Sequence, residues 1–375
     1  MFTSQYEFIA PLAAFLMVLC LLATPALAGD LVANAEIENL KKRINALESH
    51  QVPPAQTEDQ GLDFGQISKY VTLHGLLEAE ASYTKPNDSD EESDLTLATA
   101  ELSIEATLNE FVGGHIALLY EEVEGEDDDI DVDEAVISLT SPGLLFGQTP
   151  SVHAGRMYVP FGMFNSYMIS DPLTLDLGET QDTAALVALE GDFWVLKVGV
   201  FNGDIDADGD KNQVDDFVAS LELAPIENLA FGVSYINDLA ESDYGLVDSD
   251  GDYADTVAGG SVFLSAQYGK FRLEMEYLAA LDDFDDDDQV IEDLTGKRPE
   301  AWNVELAWMP TDTVQLAARY EEANDFLDDV KRYGATASYG LFEHVVIALE
   351  YLRAESDAEE DDRADIVTAQ LALEF

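Results

Sequence analysis

Basic residues are scarce in this chain: 17 Lys and Arg stand against 77 Asp and Glu over 375 residues, a formal net charge of −60. A phosphate backbone is bound through a basic surface, so nucleic acid is excluded as a partner. Cysteine is scarcer still, with one residue, Cys20, inside an N-terminal apolar run. A chain cleaved after Ala28 therefore has no disulfide, no thiol chemistry and no Cys-based metal site. Long apolar runs are missing apart from Ile9 to Ala28, which excludes a bundle of membrane helices. That run ends Ala26-Leu27-Ala28, the small-residue pattern of a cleavage site. It reads as a secretory signal peptide, although Glu7 stands where Lys or Arg is usual. An uncleaved N-terminal anchor is the alternative. Catalytic signatures are absent as well: there is no serine nucleophile elbow, HExxH, P-loop or glycine-rich dinucleotide turn. The five histidines His50, His74, His115, His153 and His344 are scattered. The chain reads as a non-enzyme.

What is present is period. In the last stretch, Ala364 to Phe375, the residues Val367, Ala369, Leu371, Leu373 and Phe375 alternate with Thr368, Gln370 and Glu374. This is a β-strand with one apolar and one polar face. The same alternation begins at Tyr70. There Val71, Leu73, Leu77, Ala79 and Ala81 oppose Thr72, His74, Glu78, Glu80 and Ser82. It recurs in about sixteen segments of roughly ten residues, the length that a tilted membrane strand requires. Short turns such as Gly191-Asp192 and Gly269-Lys270 follow the even segments. Long acidic loops such as Gly203–Asp215, Asp238–Thr256 and Asp282–Pro299 follow the odd ones. Aromatic residues gather near strand ends. An even strand count with loops sorted by length predicts an all-β transmembrane barrel of about sixteen antiparallel strands, with both ends on the short-turn, periplasmic side. A soluble β-sandwich is the alternative. The expected organisation is signal peptide 1–28, a short coiled coil over 29–50 (Ile37, Leu40, Ile44 and Leu47 at a and d spacing), a linker over 51–69, and an outer-membrane barrel over 70–375. So short a coiled coil needs partners, most simply copies of itself, which points to a homotrimer. A marginal amphipathic helix is the plainer reading.

A barrel of this size leaves an aqueous channel. Its predicted inward face is polar and mixed in sign, and in such a chain the basic residues Arg156, Lys197, Arg272, Arg319 and Arg332 stand out. Charged rings of this kind set selectivity; a generically wet lumen is the alternative. The connection after the fifth strand differs from its acidic counterparts. It reads GRMYVPFGMFNSYMISDPLTLDLGET from Gly155 to Thr180 and is largely apolar. Folded into the lumen it narrows the channel, and Tyr158, Phe161, Met163, Phe164, Tyr167 and Met168 line it. Packing on the rim is the alternative. GRMYVPFG followed by ISDPLTLDLGET resembles the LbtU-type siderophore porins of bacterial outer membranes. The resemblance implies a sixteen-stranded barrel associated with uptake of ferric siderophores.

Gly203–Asp216 reads GDIDADGDKNQVDD. Asp204, Asp206, Asp208, Asp210, Asn212 and Asp215 recur at the spacing of a calcium loop, with Gly209 permitting the bend. The alternative is a solvated acidic loop; Asp282–Asp288 has no such spacing and reads as plain charge. The acidic loops form a negative vestibule that concentrates cations and that divalent ions could bridge to lipopolysaccharide phosphates. The expected partners are outer-membrane lipid and lipopolysaccharide, the barrel-assembly machinery through the C-terminal strand, and a ferric siderophore or small cationic solutes in the lumen. The functional readings are a siderophore porin, a cation-preferring diffusion porin, and a calcium-dependent adhesive surface barrel.

Overall fold

The computed structural model describes residues 69–375 apart from 88–89, 123–128, 144–146, 206–212, 248–255, 285–289, 291–293 and 357–361. The expected signal peptide and coiled coil, and the linker up to residue 68, lie outside the described residues.

Sixteen strands form one closed antiparallel barrel. They are β1 (Val71–Pro86), β2 (Glu92–Asn109), β3 (Val112–Tyr120), β4 (Asp131–Thr140), β5 (Thr149–Tyr158), β6 (Gln181–Glu190), β7 (Trp194–Phe201) and β8 (Asp216–Ile226). The second half comprises β9 (Leu229–Ile236), β10 (Gly259–Tyr268), β11 (Phe271–Ala280), β12 (Glu300–Thr311), β13 (Val314–Asn324), β14 (Lys331–Phe342), β15 (Val345–Glu355) and β16 (Arg363–Glu374). Each strand pairs with its sequence neighbour, and β16 returns to β1. No edge is left over, the condition for β-structure in hydrocarbon, where an unpaired backbone group costs several kcal/mol. One helix, α1 (Leu173–Gly178), lies in the β5–β6 connection.

The alternation decides which side each residue takes. Leu73, Ile137, Val187, Leu306, Leu349 and Leu371 point outward and are exposed, Ile137 at 64%. Their outward display is what a lipid-facing wall needs. Aromatic rings fall in two outward belts. Near the short turns Phe271 stacks on Trp308 with centroids 6.3 Å apart. Near the long loops Trp302, Tyr320 and Tyr333 stand side by side, the two tyrosines 6.4 Å apart.

Several boundaries differ from the sequence reading. The hairpin of β1 and β2 runs further than its apolar pattern, because Thr84 still pairs with Glu92; a backbone ladder needs no apolar side chains once it leaves the membrane. The connection between β4 and β5 spans 141–148 and is longer than the other short turns. The seam is closed by backbone. Gly75 N–H donates to the Phe375 carbonyl (2.8 Å) and Phe375 N–H returns a bond to Gly75 O (3.0 Å). The Phe375 ring lies over Gly75, where a Cβ would come within 2.3 Å of it and make the ring shift.

Candidate functional site

The apolar stretch between β5 and β6 enters the barrel. Its turn inward is made at Gly162, whose φ of +79° lies in the left-handed region that only glycine adopts freely. From there the chain crosses the inner wall, and its backbone N–H groups dock on a serine of β9 and on glutamates of β11, β12, β13 and β15. Gly162 N donates to Ser234 Oγ on β9 (2.9 Å). Met163 N and Phe164 N donate to the two oxygens of Glu276 on β11 (2.8 and 2.9 Å). Tyr167 N and Ser166 Oγ donate to Glu305 on β12. Ile169 N donates to Glu350 on β15 (2.6 Å), and Leu173 N to Glu321 on β13 (2.9 Å). An amide buried without a partner is costly, and so is a carboxylate; here each satisfies the other.

Arg319 completes the attachment. Its guanidinium is buried and donates to Ser166 Oγ, Ser170 O, Ser170 Oγ and Asp171 O at 2.8–3.0 Å. It also lies 3.7 Å from Glu305 and 3.2 Å from Glu321. Arg332 pairs with Glu321 (2.9 Å) and with Asp176 in α1 (3.1 Å). Glu276, Glu305, Arg319, Glu321, Arg332 and Glu350 on β11–β15 are therefore engaged in holding the segment, and do not form a free ring around the pore.

Behind the segment lies an apolar core. Phe161, Leu173 and Leu177 are buried against Phe201, Val218, Ile236 and Leu278 of the wall. The acidic outer loops contribute Leu239, Leu246, Phe284, Leu294 and Phe326 to the same core. These loops are not simply solvated, and the stretch read as plain charge carries Phe284, fully buried. The part of the lumen bounded by β6–β13 is filled at its loop end.

The opposite wall is different. On β1–β4 the inward side chains include Glu78, Glu80, Glu101, Glu105 and Glu134, with His74 and His115. Their polar contacts are with neutral groups or histidine: Gln370 donates to Glu80 (2.9 Å), Ser103 Oγ bonds Glu101, and His115 Nε2 lies 3.1 Å from Glu134. These four strands contain one Lys or Arg, Lys85, and it sits on the outward face at the rim, 3.3 Å from Glu91. The lumen thus has a filled side whose carboxylates are hydrogen-bonded and an acidic, water-exposed side.

The residues expected to line the pore are distributed accordingly. Arg319 and Arg332 hold the inward segment, and Phe161 is buried in the core behind it. Phe164 and Tyr167 lie on the segment, and the Tyr167 hydroxyl donates to Glu274 (3.3 Å). Lys197 and Arg272 have inward register on β7 and β11, and Arg272 donates to Gln267 (2.7 Å). Arg156 and Tyr158 are corrected: both point outward, and the Tyr158 hydroxyl donates to Asp133 (2.9 Å). The apolar-out rule reverses along β5 because the lumen at that height is itself apolar, so Met157 and Val159 turn inward. Glu321 and Glu350, which anchor the segment, escaped the sequence reading. Their inward parity was visible, but parity does not say what stands opposite.

Of the proposed calcium ligands, Asp206, Asp208, Asp210 and Asn212 lie outside the described residues. Asp204 N donates to Glu241 Oε2 (2.9 Å), and Asp215 is exposed. Beside them the carboxylates of Asp216, Asp238 and Glu241 come within 4.8 Å of one another. Burial, and then the neighbouring Asp216, push the Glu241 carboxyl up to about 8, against two amide bonds that favour its charge. The packed loop therefore holds a proton that the unfolded chain releases above its ordinary 4.5. Its stabilisation is complete below that value and is lost as pH rises through about 8, an effect on the order of a few kcal/mol. Limited proteolysis of the outer loops should accordingly be faster near pH 9 than near pH 6, and Glu241→Gln should flatten the difference. Slower cleavage at the higher pH on adding calcium would support the calcium loop.

Solved structures share this architecture. The outer membrane channel DcaP of Acinetobacter baumannii superposes with a TM-score of 0.60 over 81% of this chain and 97% of its own, at 12% identity. The barrel has the fold of the outer-membrane porins. An anion-selective porin from Comamonas acidovorans gives 0.59 at 13% identity over 81% of this chain and 99% of its own. OmpT of Vibrio cholerae in its trimer form gives 0.54 at 16% identity, over 81% of this chain and 99% of its own. In sequence, a UPF0422 protein of Legionella pneumophila strain Lens is 31% identical over 115 residues, 30% of this chain. A UPF0422 protein of Coxiella burnetii is 27% identical over 166 residues, 43% of this chain and 34% of its own. The match spans 22% of the length of the Legionella relative. No family model matches the chain.

Proposed function

We propose that this porin-fold barrel is an outer-membrane channel for cationic solutes. The observation that carries the reading is the asymmetry of the lumen. Glu276, Glu305, Glu321 and Glu350, with Arg319 and Arg332, are consumed in anchoring the inward segment. The wall left to a solute on β1–β4 presents Glu78, Glu80, Glu101, Glu105 and Glu134 and no inward Lys or Arg. A low-dielectric passage lined by one sign of charge concentrates the opposite ion. The fold does not dictate this choice, since it also houses a porin described as anion-selective. The acidic loops reinforce it at the mouth. Lipopolysaccharide around the barrel, a homotrimer, and assembly through the β16 strand complete the proposal.

The test is the reversal potential of the purified, refolded protein in a planar bilayer under a potassium chloride gradient. The expected result is a potassium-preferring current; an anion-preferring current, or none, would overturn the reading.

A finer reading is uptake of an iron–siderophore complex, favoured by the resemblance of Gly155–Thr180. On that reading one ferric siderophore blocks the current, and deleting Gly162–Leu177 abolishes the block. A current indifferent to every ferric siderophore tried leaves the cation channel alone.

A further inference from the structure

Imidazole and carboxylate alternate across four neighbouring strands of the acidic wall: His74 on β1, Glu105 on β2, His115 on β3 and Glu134 on β4. All four side chains point inward, and Glu105 stands directly opposite His115 in the ladder. His74 Nε2 lies 3.9 Å from Glu105 Oε2, and His115 Nε2 lies 3.1 Å from Glu134 Oε2. The side chains are reachable from the lumen, with 48% and 58% of the first pair exposed and 32% and 28% of the second. The other described histidines differ. Both ring nitrogens of His153 are engaged by Ser138 and Ser151, 2.9 Å each, and His344 lies in a turn at the barrel end.

We propose that this line binds divalent transition-metal ions, zinc as the representative, as they pass through the lumen. Hard ions such as magnesium and calcium take oxygen ligands and keep their water, whereas imidazole favours zinc, nickel and copper. Two ligands of one tetrahedral zinc, each about 2.0–2.1 Å from it, stand roughly 3.3 Å apart. The His115–Glu134 separation of 3.1 Å meets that spacing with little movement. Glu105, half-exposed, 3.9 Å from His74 and paired with His115 in the ladder, supplies a third oxygen on rotating its side chain toward the ion, and water fills the rest of the shell. A few ligands on an open wall hold an ion loosely, as a transit site must: tightly enough to attract, weakly enough to release.

The proposal rests on the channel reading above and names the kind of cation, so its test uses a readout other than conduction. Zinc binding to the full chain in detergent is measured calorimetrically at neutral pH with excess magnesium present, which occupies the all-oxygen acidic loops. The expected result is a zinc site that survives magnesium. It is weakened about tenfold or more in His74→Gln/His115→Gln, severalfold in Glu134→Gln, and not at all in His344→Gln. Heat-modifiable mobility on gels confirms that each variant has closed its barrel. Zinc binding abolished by magnesium, or unchanged in both lumen variants, would overturn the site. Zinc binding at these residues in a barrel without potassium preference would instead sink the channel reading and leave the site standing.

Discussion

Arg319→Ala is expected to open the channel and weaken the barrel together. The side chain makes four hydrogen bonds to the inward segment and faces Glu305 and Glu321, both fully buried. Removing it leaves buried Glu305 without a cation and Glu321 with Arg332 alone, a loss of up to about 3–5 kcal/mol for a buried pair broken on one side. The segment then loses its clamp on the Ser170 and Asp171 carbonyls and keeps its amide bonds to Glu276, Glu305, Glu350 and Glu321. Single-channel conductance should rise roughly twofold or more, because the constriction widens, and the unfolding temperature should fall. Arg319→Lys restores one charge but not the fork that reaches Ser170 and Asp171 together, so it should fall between. Unchanged conductance in Arg319→Ala would mean that the segment does not limit the current.

The second large effect is expected on the other wall. Glu78→Gln, Glu101→Gln, Glu105→Gln and Glu134→Gln combined remove four inward carboxylates of β1–β4 with little change of shape. The cation preference should fall about tenfold, with the reversal potential moving toward zero and conductance little changed. Glu276→Gln in the wild-type background should leave the preference intact, since that carboxylate faces amides of the segment and is buried. A preference that survives the fourfold variant would place selectivity in the acidic loops instead.

The barrel was legible because its rule is local. An apolar-out alternation repeated in segments of fixed length, with loops sorted by size, fixes strand number and closure without knowledge of any contact. The use of the inward charges was not legible. Glu101 and Glu305 read alike in sequence, both glutamates at inward positions, yet one faces water and the other an arginine, the Ser166 hydroxyl and the Tyr167 amide. The difference is made by a segment more than a hundred residues from Glu305 along the chain. Arg156 and Tyr158 failed for a related reason: where the lumen is apolar, inside and outside exchange character. One signal was available and overlooked. Single large apolar residues such as Leu239, Phe284 and Phe326, set among aspartates, have no use in a solvated loop and mark its buried anchor.

The seam between β1 and β16 also governs how the molecule can be made. Gln370 reaches Glu80 across 290 residues of chain, so the strand synthesised last is required by the strand synthesised first. Until it arrives, the growing sheet carries two unpaired edges, each a template for any other strand it meets. Closure is therefore a late event, set by the slow search that such distant partners impose. A site built by the curvature of the closed wall, with glutamates of four strands gathered on one crossing segment, comes into being only at that moment. The open sheet neither narrows nor selects, so the half-made protein offers no leak that discriminates among ions.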